Sequence, residues 1–300
     1  MRRIVRTVTM LFVLSMVAAS CQNAQQQKQK ATTDASLTVE VDTSSQTIKF
    51  GNTLFSLPSP YQLTMMVKKA DVKFNEALLN PVSNNQNYTS QFRKCINLGV
   101  YGADLAYLNI YDQMPLVMSV FSVSKILAND LDLLVAFNND LINRVEQNMD
   151  NKDSLLYIMS NTYRDVDIYL KESQRQREGA LVLAGGWIEA MYILTQLAVE
   201  TKNDELKQHV GESKQPLDNL IKILSPYYSY NLEIKELLDA LMELTNDFEK
   251  IEQSYTYKVP EIDPESKVTI IKSVSKVVVK DADLQLIAKK IKRIRTLLVN

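Results

Sequence analysis

Residues 97–107 read NLGVYGADLAY, a run that is small or apolar at most positions and carries a single charge. A second run, LAGGWIEAMY at residues 183–192, repeats the order glycine, aromatic residue, carboxylate and tyrosine. Glycine inside a helix costs up to about 1 kcal/mol relative to alanine, so clustered glycines indicate that another helix packs closely there. The two runs therefore predict closely packed helices in the interior of a mainly α domain.

The rest of the chain also favours long helices. It has only 7 glycines and 8 prolines, the residues that most often interrupt helices, in 300 residues. Apolar residues recur at steps of three and four, which is typical of helices with one buried face. The spacing predicts a helical bundle or helical-hairpin array of about eight helices, at about 60–80, 90–111, 114–129, 132–148, 153–171, 174–200, 203–224 and 231–255, with a C-terminal helix at about 282–299.

Two segments favour β structure instead. Leu37–Phe50 alternates apolar and polar residues and predicts a small hairpin. Residues 267–280 are rich in β-branched side chains and predict one or two strands near the C-terminus. We expect the N-terminal hairpin to pair with these strands, as a minor β element beside the helices.

The two glycine-containing runs also suggest an internal repeat, with halves at about 59–148 and 153–255. They align at an offset of about 86 residues, and Ser124-Lys125 matches Ser213-Lys214 at an offset of 89. Self-similarity at a fixed offset is the sequence signature of duplication. Chance similarity between amphipathic helices is the alternative.

The first 20 residues have the organisation of a secretory signal peptide. A basic MRRIVR segment precedes a short apolar run, Val8–Val17, and the small residues Ala18–Ser20 follow. Ala18–Cys21 resembles the bacterial lipobox, which implies that Cys21 carries lipid and becomes the first residue of the mature chain. The alternative is an ordinary signal peptide that happens to be followed by cysteine.

The residues after Cys21 predict the location of the mature protein. Gln22 stands where aspartate would retain a lipoprotein at the inner membrane, so the resemblance implies the outer membrane and leaves open which side of it. Residues 21–36 are almost devoid of apolar side chains, which predicts a flexible tether. A single domain is expected over residues 37–300.

Composition excludes several functional classes. Removing Arg2, Arg3 and Arg6 with the signal peptide leaves 31 basic and 35 acidic residues, and this acidic balance argues against a nucleic-acid partner. Cys95 is then the only unmodified cysteine, so no internal disulfide can form, and we expect a buried, inert thiol. With His209 as the only histidine, a typical zinc site cannot be built. No motif for catalysis, metal binding or a cofactor is present.

The candidate functional residues lie in the two glycine-containing runs. Asp104 and Glu189 are flanked by apolar residues, so each is expected either on a narrow wet face or buried with a partner. The arginines available as partners are Arg93, Arg164, Arg175 and Arg177. The functional interpretation is a polar site inside an aromatic pocket formed by Tyr101, Tyr107, Trp187 and Tyr192. The basic run Lys289–Arg295 is expected to be a solvated face, with contact to anionic lipid or a partner as the alternative.

The segments LPSP (residues 57–60), Asn97–Tyr107 and Gly185–Glu189 resemble a family of uncharacterised bacterial lipoproteins, for which no activity is known. The sequence therefore predicts a membrane-anchored cell-envelope lipoprotein that acts as a non-catalytic binding or scaffolding protein. Its partner would be the membrane, through the lipid anchor, and an unknown envelope protein or small ligand. One alternative is a small-ligand carrier with the aromatic pocket, and a weaker one is a hydrolase that uses Asp104 and Glu189 as acid and base.

Overall fold

A computed structural model describes residues 46–50, 53–57, 66–133, 139–148, 151–263, 268–270 and 273–300. All of them belong to the second of two compact units, Val41–Asn300. The expectation of a mainly α fold with a small antiparallel β element near the C-terminus is confirmed. The α-helices of nine or more residues in the described part of the chain are α1 (Gln91–Ile110), α2 (Met114–Asp130), α3 (Asn139–Gln147), α4 (Lys152–Glu172), α5 (Gln176–Thr201), α6 (Asp204–Glu212), α7 (Lys214–Leu224), α8 (Leu232–Phe248) and α9 (Asp281–Val299).

Short polar side chains begin several of these helices. The Ser90 side chain accepts a hydrogen bond from the Arg93 backbone N–H at the start of α1. Asn203 and Asn231 cap α6 and α8 in the same way. Each cap satisfies one of the backbone donors that have no partner in the first turn of a helix, and this fixes where the helix begins.

The core is built around α1 and α5. Every residue of α1 from Cys95 to Ile110 is buried, and α5 is buried almost continuously from Glu178 to Leu194. Helix α5 is long and apolar enough to cross a membrane by length and composition alone, but 83% of its most apolar stretch is buried inside the fold. A helix that is apolar on all sides is expected at the centre of a packed domain. Helix α9 packs against α5, α1 and α8 and completes this core.

Three of the predicted helices were wrong in extent. The helix predicted at 60–80 is α-helical only at residues 66–69 within the described part, which here begins at residue 66. A turn with a positive φ at Asp71 follows, and then a 3₁₀ turn at Glu76–Leu78. The predicted helix at 203–224 is two helices that meet at Ser213. The predicted helix at 231–255 ends at Phe248, because Glu252–Thr256 pairs as a strand instead.

The strands form antiparallel pairs. β1 (Gln46–Phe50) and β2 (Thr53–Leu57) make one hairpin. β3 (Glu252–Thr256) pairs with β6 (Val274–Val278), and β4 (Glu261–Asp263) pairs with β5 (Val268–Ile270). Among the described residues, the N-terminal hairpin does not pair with the C-terminal strands, so the expected pairing was wrong. The first residue of the hairpin with a strand partner is Gln46, and residues 37–45 lie outside the described part.

We call the described residues of these two C-terminal strand pairs, 252–263, 268–270 and 273–278, the β-arm. The register differs by one residue between the two pairs, from Thr256↔Val274 to Glu261↔Ile270. Val277 and Val279 pack at the base of the arm over Gly211 of α6, where a Cβ atom would lie 2.4 Å from a Val277 methyl group. Residues 252–259 are all exposed.

Candidate functional site

Asp104 of α1 and Glu189 of α5 lie in the interior between the two glycine-containing runs. Both side chains are fully buried, with 0% exposure. The helices approach closely enough to bring the two carboxyl groups together because Gly99 and Gly185 stand where the backbones meet. A buried charge without a partner would cost several kcal/mol, so each carboxyl group must be bound.

Arg295 of α9 binds Glu189 through two hydrogen bonds. Its Nε donates to Oε2 at 2.9 Å and its Nη2 donates to Oε1 at 2.8 Å, the paired geometry that a guanidinium group makes with a carboxylate. Nη2 also donates to the Leu78 carbonyl at 3.3 Å. The guanidinium carbon lies 4.7 Å from the centre of the Tyr192 ring, within the range of a cation–π contact.

Asp104 is bound from a different direction. Its Oδ2 accepts a hydrogen bond of 3.1 Å from the backbone N–H of Asn80, in the segment that precedes α1. The carboxyl group of Glu189 is a close neighbour and acts on the pKa of Asp104. The site thus joins α1, α5, α9 and the segment at residues 75–80.

Burial dominates the electrostatics of this site. It raises the pKa of Asp104 well above the ordinary value, the neighbouring Glu189 raises it further, and Arg295 opposes both effects. Burial also raises the pKa of Glu189, although the hydrogen bond and the charge of Arg295 act to lower it. For Arg295, burial favours the neutral form, but the contact with Glu189 outweighs it and raises the pKa.

The arginines expected as partners bind elsewhere. Arg93 donates to the Asn300 carbonyl at 2.6 Å, Arg175 donates to the Leu131 carbonyl at 2.8 Å, and Arg177 pairs with Glu178 at 2.8 Å. The side chain of Arg164 lies outside the described residues. The actual partner, Arg295, belongs to the basic run that was expected to be solvated, and its side chain is only 11% exposed.

The inward position of Arg295 could have been predicted from the spacing of the apolar residues in α9. Its apolar side chains Leu284, Ile287, Ile291, Ile294 and Leu298 define a buried face, and position 295 borders that face next to Ile294 and Leu298. Lys290 of the same run also points inward to a buried acid, with Nζ 2.6 Å from an oxygen of Asp247. Lys289, Lys292 and Arg293 are exposed, as expected for a solvated face.

The four aromatic residues are buried, but their contacts are with different parts of the core. Tyr101 donates to the Pro81 carbonyl at 3.0 Å and its ring lies 6.4 Å from that of Tyr88. The Tyr107 hydroxyl accepts from the Asn75 N–H at 2.9 Å, and its ring packs on Phe74 and Tyr111. Tyr192 lies beside Arg295.

Trp187 is 3% exposed, and its indole N–H has no hydrogen-bond partner within the described residues. Among those residues, no ring–ring contact joins Tyr101, Tyr107, Trp187 and Tyr192 to one another. The four side chains therefore do not form one continuous aromatic cluster.

Cys95 occupies the buried environment expected for it, and His209 lies at the surface. Cys95 is 1% exposed, and burial raises its pKa to about 12, which leaves the thiol in its unreactive neutral form. His209 is partly exposed on α6, with Nδ1 2.9 Å from an oxygen of Glu212. In the part of the chain that the structure describes, no group of three or more histidine, cysteine or acidic residues is arranged to hold a metal ion.

Comparisons with known proteins add no further constraint on the site. No family model matches the chain, and no curated protein or solved structure was found to match it. Membership of a lipoprotein family and the internal repeat thus stay predictions from the sequence. The second match in the repeat is not equivalent in structure, because Ser124 lies within α2 whereas Ser213 lies at the junction of α6 and α7.

Proposed function

We propose that this chain is a membrane-anchored lipoprotein of the cell envelope that acts as a non-catalytic binding or scaffolding protein. The anchor is supported by the sequence of residues 1–21, in which a basic segment, a short apolar run and Ala18–Ser20 lead to Cys21. Gln22 favours the outer membrane. A metal, an organic cofactor and a nucleic-acid partner form no part of the proposal.

The burial of Asp104 and Glu189 is the observation that carries the non-catalytic assignment. A general acid or base must come within hydrogen-bond reach of its substrate. Both oxygens of Glu189 are bound by Arg295, and Asp104 accepts from the Asn80 N–H, while neither side chain is exposed. The site therefore has the character of a structural polar network, and the hydrolase alternative has little support.

The carrier alternative also has weak support. A small-ligand pocket is expected to present an apolar lining with a few free polar groups. Tyr101 and Tyr107 already use their hydroxyl groups on backbone atoms, and the Tyr192 ring is covered by Arg295.

The β-arm is the surface that best supports a binding function. Tyr255, Tyr257 and Val259 are 66%, 65% and 74% exposed and follow one another at alternate positions. A two-stranded ribbon alone is marginally stable in water, and tyrosine is enriched where proteins contact one another. In this proposal the helical body holds the arm at the membrane surface, where a partner protein covers the exposed side chains.

The anchor is tested by labelling cells with a palmitate analogue. The wild-type chain should incorporate label, Cys21→Ala should abolish it, and Cys95→Ala should leave it unchanged, because Cys95 is buried in the core. Equal label on wild type and Cys21→Ala would overturn the lipoprotein assignment.

Photo-crosslinking tests the binding surface independently of the anchor. A photoreactive amino acid is placed at Tyr255 or Tyr257 on the arm and, as controls, at Ile126 or Tyr157 on the helical body, which are 49% and 52% exposed. Arm positions should give a discrete crosslinked species that the body positions lack, and Tyr255→Ser should reduce the crosslinking from position 257. The same products from all four positions would contradict a role for the arm.

A further inference from the structure

Two carboxyl groups and one guanidinium group share the buried site described above. If Asp104 and Glu189 were both ionised, Arg295 would neutralise only one of them and a net negative charge would remain in the core. An uncompensated charge in a low-dielectric interior is strongly unfavourable, and such groups usually take up a proton instead. The charge count therefore requires one proton on the two acids.

The hydrogen bonds indicate which acid holds the proton. Glu189 accepts from Arg295 with both of its oxygens, which is the pattern of an ionised carboxylate. Asp104 accepts from Asn80 with Oδ2, whereas its buried Oδ1 receives no hydrogen bond from any donor in the described residues. A proton on Asp104 would turn this group into a donor, and the neighbouring Glu189 carboxylate is an acceptor for it.

We propose that Asp104 is the neutral acid, that it donates its proton in a hydrogen bond to ionised Glu189, and that this proton acts as a pH-sensitive latch between α1, α5, α9 and residues 75–80. The latch is independent of the proposed binding function. When the proton is lost, the two carboxylates repel each other at the centre of the helix crossing, and the segments held there by Asn80 and Arg295 separate first.

The groups around Asp104 are consistent with this assignment. The direction of its pKa shift, set mainly by burial and by the charge of Glu189, favours the protonated acid. Burial likewise raises the pKa of the neighbouring tyrosines, which therefore stay neutral as the pH rises. The titratable and charged groups that interact with Asp104 are Tyr101 from α1 itself, Glu189 and Tyr192 from α5, and Arg295 from α9, while Tyr88, from the segment before α1, interacts with Tyr101, Glu189 and Arg295.

The sign of the pH dependence follows from linkage. A carboxyl group whose pKa is higher in the folded state binds more protons there than in the unfolded state. Its contribution to stability is complete below the unfolded pKa and is lost as the pH rises toward the folded pKa. Across that window, the equilibrium constant for opening increases about tenfold per pH unit.

The proton can be observed directly by carbon-13 NMR of the purified full chain with labelled aspartate side-chain carboxyl groups. One signal should keep the chemical shift of a protonated acid at about pH 7, far above the ordinary aspartate pKa of about 3.9, and Asp104→Asn should remove it. If every aspartate signal is that of an ionised carboxylate at this pH, the proposal fails. This measurement is made on the wild-type fold and does not depend on the variant being stable.

Hydrogen exchange tests the latch itself. Amides of residues 76–80 and 293–299 should lose protection as the pH is raised from about 6 to about 9, after correction for the intrinsic pH dependence of exchange. In the Asp104→Asn variant, the new side-chain amide can donate to Glu189 and accept from Asn80, so these segments should stay protected and the pH dependence should disappear. Equal pH dependence in wild type and variant would overturn the latch, and neither outcome bears on the palmitate or crosslinking tests.

Discussion

Gly99 and Gly185 hold reciprocal positions in a single helix crossing. A Cβ atom on Gly185 would lie 1.9 Å from the carbonyl oxygen of Ile96, and one on Gly99 would lie 2.0 Å from the carbonyl oxygen of Val182. Each glycine is therefore in contact with the backbone of the other helix. This contact sets the distance between α1 and α5, and it is the reason that Asp104 and Glu189 can share one buried site.

Gly185→Ala should strongly destabilise the fold. The added methyl group would overlap a backbone atom, so the helices must separate, and overpacking of this kind costs about 1–3 kcal/mol or more. Gly179→Ala in the same helix is the matched control, because its Cβ would meet only side-chain atoms of Leu170 at 3.7 Å. That variant should gain about 0.5–1 kcal/mol from helix propensity.

Urea denaturation of both variants measures the difference. Equal stabilities for Gly185→Ala and Gly179→Ala would show that the two helices are less tightly packed at the crossing than these distances imply.

Arg295→Ala should cost about 3–5 kcal/mol near neutral pH, because it leaves the buried Glu189 carboxylate without its counter-charge. The loss should be smaller in mild acid, where Glu189 can accept a proton. Arg293→Ala is the control on the same helix; Arg293 is exposed, so its removal should change the free energy of unfolding by no more than about 0.5 kcal/mol. Similar melting temperatures for the two variants would contradict a structural role for Arg295.

The close packing of α1 against α5 could be predicted from the sequence, but the contact between Arg295 and Glu189 could not. The glycines of residues 97–107 and 183–192 indicated a close helix pair because glycine within a helix is costly unless packing requires it. Arg295 was missed because it lies 106 residues from Glu189 and is embedded in a basic run that resembles a solvated face. Sequence periodicity reports which face of a helix is buried, not which long side chain reaches across to another helix.

The predicted helix ends were wrong where tertiary contacts override the local preference for helix. Helical spacing continues past Phe248, yet Glu252–Thr256 pairs with Val274–Val278, a strand distant in sequence. Likewise, residues 70–75 leave the helical conformation where Tyr107 and Tyr111 bind the backbone of Asn75 and Val72. Both interactions involve partners far along the chain, which a pattern within one segment cannot indicate.

Cys95 should be unreactive in the folded protein. Its burial and its raised pKa of about 12 leave almost no thiolate at about pH 8, and the thiolate is the nucleophile. In the Cys21→Ala background, labelling with a thiol reagent should therefore occur only at the rate at which the core opens. Ser122→Cys in the same background, at an exposed position of α2, should react rapidly, and comparable rates for the two thiols would contradict the burial of Cys95.

Asp247 should give the fold its sensitivity to acid. Its side chain is 3% exposed and pairs with Lys250 at 2.8 Å and with Lys290 at 2.6 Å. The two lysines lower the pKa of Asp247 despite the opposing effect of burial. A folded-state pKa below the ordinary value contributes stability that is present above that value and is lost as the pH falls through the folded pKa.

Asp247→Asn should therefore destabilise by about 1.5–3 kcal/mol near neutral pH, the range for hydrogen bonds to charged groups. The difference from wild type should shrink as the pH falls to about 3, below the ordinary aspartate pKa of about 3.9. Glu243→Gln, which removes the exposed partner of the same Lys290, is the control and should cost less than about 1 kcal/mol. A difference between wild type and Asp247→Asn that stays constant with pH would assign the effect to shape rather than charge. The pKa of Asp104 is raised and that of Asp247 is lowered. Acid should therefore weaken the contact between α8 and α9, whereas alkali should weaken the contact among α1, α5 and α9.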